Sequence, residues 1–549
     1  MRNSLVALAA VLFLSACGPS SEQKTAQMKP ARLAAPTYGN VDAKRLSAPD
    51  DNAGQWMTTG RNYGEQRFSP LTKISTENVS ELGLAWYGDF DTRRGQESTP
   101  IVIDGVMYVT TAWSKLYAYD AKTGKERWRY DPQVPSEWGD NACCDVVNRG
   151  VAAWHGKVYL GTLDGRLISI DADTGKVVWE TQTTDTSKAY SIIGAPRIAK
   201  GKVFIGQAGS QFSQRGYISA YDAETGKLDW RWYIVPGNPR DGFENEQMEI
   251  AAKTWGREWW KTGGGGSPWD AITYDPVTEL VIVGTGNGTP WPAETRSPGN
   301  NENLYLSSMV ALHADTGEYA WHYQMTPHET GDYDGTQQIT VADLYIDGKQ
   351  RHVAMQASKN GHFYVVDAET GKLISAQPFV PGVNWANDGA HSWHPMSFNP
   401  QTGLVYIPAM IGNYPDRPGA PRRANSGMLL AWDPVVQKEV WRVVFEGGQG
   451  GGTLSTAGGL VFQGNSKNEE FVAYRAENGE QLWSMPAQTG IVAGAVTYQV
   501  DGEQFVAVVA GARIDGNDSA PNNSRILAFK LGGTAALPAA VESSQPPGD

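Results

Sequence analysis

Apolar runs of about five residues recur along this chain, each bounded by Gly, Asp, Asn or Pro, and apolar residues almost nowhere fall at helical spacing. Runs such as VMYVTT (106–111) and KVYLGT (157–162) fit short strands of a well-buried sheet. The polar turns between them repeat. AYDAKTGKERW ends at Trp128, SIDADTGKVVW at Trp179 and AYDAETGKLDW at Trp230, each 51 residues from the last. ALHADTGEYAW (to Trp321), VVDAETGKLIS (to Ser375), AWDPVVQKEVW (to Trp441) and AYRAENGEQLW (to Trp483) bring the copies to seven. Trp86, in ELGLAW, precedes the first copy and is placed to close a ring with RILAFKL (525–531).

Each copy is a strand, an acidic residue followed by a Thr-Gly turn, and a second strand, which is the hairpin chemistry of a four-stranded blade. Repeats of this length with recurrent Gly and Trp predict an all-β fold, a single eight-bladed β-propeller with tryptophan-docking repeats over 46–535. From Trp230 to Trp321 the interval is 91 residues, so one blade carries an insertion, and ENEQMEIAAKTWGREWWKT (244–262) predicts its helix. The insertion at 233–262 and the loop GNYPDRPGAPRRANSG (412–427) are expected to roof the central channel. A propeller by itself specifies no chemistry; that comes from loops of several blades meeting at the channel.

The first residues change the picture. MRNSLVALAAVLFLSAC has a positive Arg2, an apolar stretch too short to span a bilayer, and small residues before Cys17. This predicts a secretory signal over 1–16. LSAC (14–17) resembles a bacterial lipobox, which would place a lipid on Cys17 and the protein in the periplasm, anchored more naturally to the outer membrane than the inner. Residues 17–45, rich in Ser, Ala, Pro, Gln and Lys, read as a flexible tether, and 536–549 as a disordered C-terminal tail. The formal charge of -13, without clustered Lys and Arg, excludes a nucleic-acid partner.

Three cysteines are present, and two are adjacent, Cys143 and Cys144 in NACCDVVNRG. With Cys17 lipidated, an even pair remains, and an exported even pair is expected to be bonded. Adjacent Cα atoms sit about 3.8 Å apart, shorter than the usual disulfide span of roughly 4.4–6.8 Å, so such a bridge would be strained.

The docking repeats, the adjacent cysteines and the segments from GRNYGEQRFSPL (60–71) to QTGIVAGAVTYQVDGEQFVAVVAGA (488–512) resemble, in this order, the quinoprotein alcohol dehydrogenases. These use pyrroloquinoline quinone (PQQ) and a metal ion. The resemblance implies a disulfide between Cys143 and Cys144 against one face of the planar quinone, and Trp269, in GGGGSPWD (263–270), against the other. It implies Glu97 (QESTP), Arg149 (NRG) and Lys359 (ASKNG) around the three cofactor carboxylates and reactive oxygens.

The implied metal ligands are hard oxygen donors, Asn287 in GTGNGTPW and Asp332 in TPHETGDYDG, the latter also the implied catalytic base. Where the family usually has a Glu, this chain has Gln211, in GSQFSQRGYISAYD. Asp334, two residues after Asp332, stands at a position that accompanies lanthanide use in the family and restores the missing charge, so calcium and a lanthanide both remain open. Two further departures are Ser392 in AHSWHPMSF, where Asn is usual, and Ile193 in YSIIGAP, where Thr is usual.

The implied function is oxidation of an alcohol hydroxyl to a carbonyl: the metal polarises the quinone, Asp332 takes the hydroxyl proton, and hydride passes to the cofactor. No CxxCH haem motif occurs, which implies an external electron acceptor such as soluble cytochrome c. The alternative is a non-catalytic propeller lipoprotein resembling the scaffold of the outer-membrane assembly machinery. That reading accounts for the anchor and the repeats but not for the ordered site residues.

Overall fold

The computed structural model describes residues 38–299, 301–380, 389–411, 426–448, 450–512 and 523–539. Among these, eight antiparallel sheets follow one another along the chain, seven of four strands and one of five. Blade 1 is Ile101–Ile103, Val106–Thr110, Leu116–Asp120 and Glu126–Tyr130, and each later blade repeats that meander. In blade 8 the outermost strand is Leu82–Asp89, which precedes blade 1 in sequence and pairs with Arg525–Leu531, so the ring is closed by hydrogen bonds between its two ends. The fifth strand of blade 7 is Phe68–Ser69, parallel to Thr453–Thr456.

Burial grades outward within each blade. The innermost strand of blade 2, Ala152–Trp154, is wholly buried, whereas its outermost, Val177–Gln182, alternates between exposed and half-buried. The repeat read in the sequence is what welds neighbouring blades. Asp120 Oδ1 accepts from Thr123 N (3.0 Å) and its hydroxyl (2.9 Å), a turn repeated by Asp171–Thr174, Asp222–Thr225 and Asp367–Thr370. The Gly that follows lies under the tryptophan of the preceding blade. A Cβ at Gly175 would sit 2.7 Å from Trp128, and one at Gly226 2.6 Å from Trp179. Each indole N–H then donates to an Ala carbonyl beside that turn: Trp86 to Ala121 (3.1 Å), Trp128 to Ala172 (3.1 Å), Trp179 to Ala223 (3.2 Å), Trp321 to Ala368 (3.0 Å). The copy that ends in Ser375 has no indole to dock. Its partner turn correspondingly carries Gln437 in place of Gly, at φ 57°, and Gln437 Nε2 donates to Ser375 Oγ at 2.9 Å.

Three expectations are corrected. The body begins before residue 46: Tyr38 N donates to Asp173, Val41 and Leu46 are buried, and Ala43–Ser47 is a short helix. Two apolar residues five apart in an Ala- and Lys-rich stretch give too weak a signal to separate this segment from a tether. At the other end Leu537 packs on the core and Pro538 O accepts from Gln488, so order extends beyond 536. The helix expected over 244–262 spans only Glu246–Ala252, capped by Asn245, and is followed by a 3-10 turn, Trp259–Thr262. Beyond the α-helix, the indole N–H groups of Trp255 and Trp259 donate to Leu304 O (2.7 Å) and Pro236 O (2.8 Å). Tertiary hydrogen bonds outweigh local propensity there. The signal and lipobox (1–17), residues 18–37, most of the 412–427 loop and residues 540–549 lie outside the described residues. No helix of the described residues is long and apolar enough to cross a membrane.

Candidate active site

Because the four strands of a blade alternate in direction, the loop entering the first strand and the loop leaving the second open on one face, while the Asp-Thr-Gly turns open on the other. Every site residue anticipated from the sequence lies in a loop of the first kind. Glu97 precedes Ile101–Ile103, Cys143 to Arg149 precede Ala152–Trp154, Trp269 precedes Ile272–Asp275, and Asp332 and Asp334 precede Thr340–Ile346. Gln211, Asn287 and Lys359 follow second strands, in blades 3, 4 and 5.

The tetraglycine before Trp269 is a structural seam. Gly263 to Gly266 all have positive φ, between 75° and 91°, a region glycine enters without steric cost. Gly265 O accepts from Gly216 N (2.8 Å), Gly266 N donates to Asn287 O (2.8 Å), and Gly264 O accepts from Thr289 N (3.2 Å). The run therefore stitches the Gln211 loop to the Asn287 loop. A reciprocal pair tightens it, Ser210 N to Ser267 Oγ (3.1 Å) and Ser267 N to Ser210 Oγ (2.9 Å). Gln211 itself is half-buried on the turn Ser210–Phe212.

Asp332, Asp334 and Lys359 converge. Lys359 Nζ donates to Asp332 Oδ2 (3.1 Å) and Asp334 Oδ2 (3.3 Å). Asp334 Oδ1 accepts from Asn287 N (3.0 Å) and from Trp269 Nε1 (3.3 Å). Burial, and then the charge of Asp334, hold the Asp332 carboxyl above its ordinary value against the pull of Lys359. Burial opposes charge on Lys359, but the two carboxylates outweigh it and keep the ammonium protonated.

Across the mouth, the Arg149 guanidinium lies between two indoles, 4.9 Å from the ring centres of both Trp269 and Trp393. Its Nη2 is 2.5 Å from Glu97 Oε2, off the hydrogen-bonding direction, so the contact is one of charge. Burial pushes the Glu97 carboxyl up to about 7, with Arg149 opposing. Cys143 and Cys144 form a further wall. They are unbonded thiols and solvent-exposed, so the expected bridge is absent from this structure. The charges of Arg149, Glu97, Asp332 and Asp334 all act on the pair, which puts the cysteines on the same space as the acids. Ile193, at the position where a Thr was usual, is buried in an apolar cluster against which Trp269 packs, and Ser392 is half-buried beside Trp393.

Several residues at or beside this mouth carry no clear signal in the sequence. Trp393, next to Ser392 in AHSWHPMSF, lies 4.9 Å from the Arg149 guanidinium. Glu65 and Arg197 pair at 2.6 Å, and together with Glu97, Arg149 and Asp270 they line a cavity. Asp270, directly after Trp269, is held above its ordinary value by burial, with Arg149 and Arg197 pulling it down. Glu329 and Arg296 form a wholly buried pair. Of these, only Asp270 had a local signal, its place beside the stacking tryptophan.

Besides Glu97 Oε2, which meets Arg149 by charge, the buried polar atoms of this mouth without a hydrogen-bond partner include Arg149 Nε and Nη1, Asn287 Oδ1 and Asp332 Oδ1. Buried groups are normally satisfied, so these fit ligands from outside the chain, an anion at Arg149 and a cation at the two oxygens. Among the described residues no group of three or more His, Cys, Asp or Glu could hold a metal, and the oxygens that converge here belong to the Asn287 amide and the Asp332 and Asp334 carboxylates. That mixture suits a hard cation.

Fold and site thus define a propeller whose mouth is lined to suit an anionic ligand at Arg149 and a hard cation beside a carboxylate. The family model described as "PQQ: Glucose/ethanol/alcohol dehydrogenase, beta-propeller domain" matches residues 56–378 and 431–506. Quinohemoprotein alcohol dehydrogenase ADH IIB of Pseudomonas putida is 49% identical over 91% of this chain and 80% of its own. The 1-butanol dehydrogenase (cytochrome c) of Thauera butanivorans is 44% identical, over 89% and 80%. Among solved structures, quinohemoprotein alcohol dehydrogenase ADH IIG from Pseudomonas putida HK5 superposes with a TM-score of 0.86 at 46% identity, covering 93% of this chain and 85% of that one. A europium-containing methanol dehydrogenase superposes at 0.80 with 31% identity, over 89% and 100%. The chain belongs to the PQQ β-propeller dehydrogenase family and is a PQQ-dependent alcohol dehydrogenase. The scaffold alternative is not favoured.

Proposed function

We propose that this protein oxidises an alcohol in the periplasm, with PQQ and one metal ion in the axial mouth and electrons leaving to an external acceptor such as soluble cytochrome c. The observation that carries the site reading is the pair of buried, unpartnered oxygens, Asn287 Oδ1 and Asp332 Oδ1, joined through Asp334 and Lys359. When bound, PQQ supplies a carbonyl that accepts hydride from the alcohol carbon, and the metal supplies Lewis acidity.

The remaining steps belong to the chain. Asp332 takes the hydroxyl proton; burial and the neighbouring Asp334 make it the better proton acceptor. Lys359 holds both carboxylates in place. Trp269, fixed by its N–H to Asp334, offers one stacking face, and Cys143 with Cys144, bonded in an oxidising compartment, offers the other. Arg149 binds a cofactor carboxylate, and Glu97, its carboxyl pushed up to about 7 by burial, donates a hydrogen bond to one from its protonated form.

Gln211, Asn287, Asp332 and Asp334 are the metal ligands. Gln211 brings oxygen without charge, and Asp334 returns the charge that a Glu would have given. Calcium is one occupant; the resemblance to a europium-containing enzyme supports a light lanthanide as the other. The relative named 1-butanol dehydrogenase (cytochrome c) supports the alcohol and the acceptor. LSAC at 14–17 supports a lipid anchor at Cys17. The test is Asp332→Ala: after reconstitution with PQQ and metal, dye-linked alcohol oxidation is expected to fall to background while the melting temperature holds, and unchanged turnover overturns the assignment.

A further inference from the structure

Glu329 touches neither the cofactor mouth nor solvent, and its side chain is fully buried with that of Arg296. Yet its two oxygens reach two different loops. Oε2 accepts from Gly288 N at 3.0 Å, one residue after Asn287. Oε1 accepts from Asp332 N at 2.8 Å and Tyr333 N at 3.0 Å. Asp334 makes the crossing connection, from its own loop back to Asn287 N. Two carboxylates therefore bracket the pair of loops that carry Asn287 Oδ1 and Asp332 Oδ1, the two unpartnered oxygens.

The bracket explains two backbone oddities. Asp332 has φ 75°, a left-handed conformation disfavoured for a residue with a Cβ, and its amide is held there by Glu329. Gly288 has no room for a side chain, since a Cβ would lie 2.3 Å from the Arg296 guanidinium carbon. Arg296 lies 3.6 Å from Glu329 Oε2 and donates to Pro290 O (2.7 Å), Trp291 O (3.0 Å) and Asn303 Oδ1 (3.2 Å), as well as to the Glu329 carbonyl. It neutralises the buried carboxylate while tying it to the segment after Asn287.

We propose that Glu329 is the positioning residue of the metal site: with Arg296 behind it, its carboxylate sets the spacing between Asn287 and the base Asp332. This rests on the reading of the metal site given above. Metal ligands are oriented by such outer partners, whose loss typically costs about 10–100-fold in metal affinity or activity. In Glu329→Gln, an amide NH2 must face Gly288 N–H or the N–H pair of Asp332 and Tyr333, so one side of the bracket opens.

The test uses the full chain with PQQ, stripped of metal and titrated with calcium and separately with europium, alongside thermal melting and alcohol kinetics. Glu329→Gln is expected to raise the metal Kd by about 10–100-fold and lower kcat by a similar factor, with KM for the alcohol within about two-fold. The variant Glu329→Asp keeps a carboxylate opposite Arg296 but is one methylene too short to reach both loops, so its melting temperature should recover towards wild type while its metal Kd stays weak. Metal affinity that instead recovers with the melting temperature overturns the positioning role and leaves a structural one. Wild-type affinity in Glu329→Gln overturns the proposal alone. A wild-type protein that binds neither metal overturns the site reading itself.

Discussion

Lys359→Met tests the electrostatics of the mouth directly, because it keeps most of the side-chain volume and removes the one cation shared by Asp332 and Asp334. Removing one partner of a buried pair costs about 3–5 kcal/mol. Asp332 is 28% exposed here, against 4% for Asp334, and that solvent access discounts the loss to about 2–4 kcal/mol. Unfolding entropy of about 2.1 cal/mol/K per residue gives roughly 1 kcal/mol/K for a body of about 500 residues, so the melting temperature should fall by about 2–4 °C at pH 8 without metal. The pH dependence has a definite sign. The Asp332 carboxyl is already held above its ordinary value, and losing Lys359 raises it further. A carboxyl with a raised folded-state pKa favours the protonated folded form, and that stability is lost as pH climbs from the ordinary carboxylate range through the raised value. The deficit should therefore be smaller at pH 5 than at pH 8, and calcium at pH 8 should restore most of it. Calorimetric scans at both pH values, with and without calcium, decide the matter. Equal losses at the two pH values with no recovery on calcium would mean that Lys359 acts by packing alone.

In the docking ring, Gly226→Ala drives a Cβ to 2.6 Å from Trp179 at φ 68° and should cost about 1–3 kcal/mol in denaturant unfolding, whereas Gly201→Ala, at φ 72° with open space around it, should cost about 1 kcal/mol; equal costs would discount the tryptophan contact. Cys143→Ala, measured by PQQ titration and thermal melting together, should weaken cofactor binding far more than it lowers the melting temperature, and the reverse result returns the pair to a structural role. Glu329→Gln should lose metal and kcat together with KM held, and Asp332→Ala should abolish turnover in a folded protein, as set out above.

The difference between the site residues that were legible and those that were not follows chain locality. Asn287, Asp332, Asp334 and Lys359 stand in short segments whose order could be recognised, and the structure brings Lys359, both acids and the Asn287 backbone within hydrogen-bonding distance. Arg149 was recognised as a cofactor cation, but not that its guanidinium would lie between Trp269 and Trp393, residues 120 or more positions away in the chain. Glu65 reaches Arg197 across 132 residues and Glu329 reaches Gly288 across 41, and neither acid differs in its local context from a solvated loop carboxylate. The cysteine bridge was argued from compartment and count, properties the folded chain does not contain; the structure shows only where the thiols stand.

What the sequence determined by itself was the ring. Strand, acidic turn, strand and tryptophan are all encoded within eleven residues, and all but one of the turns bury a glycine under an indole one blade back, so a local pattern repeated seven times leaves one architecture consistent with it. Only the tertiary structure decided the site. Its loops come from different blades and share no period, and their spacing is set by a tetraglycine seam and a buried Glu329–Arg296 bracket. Such contacts gain their strength from burial and from distant partners, and neither exists until the ring has closed.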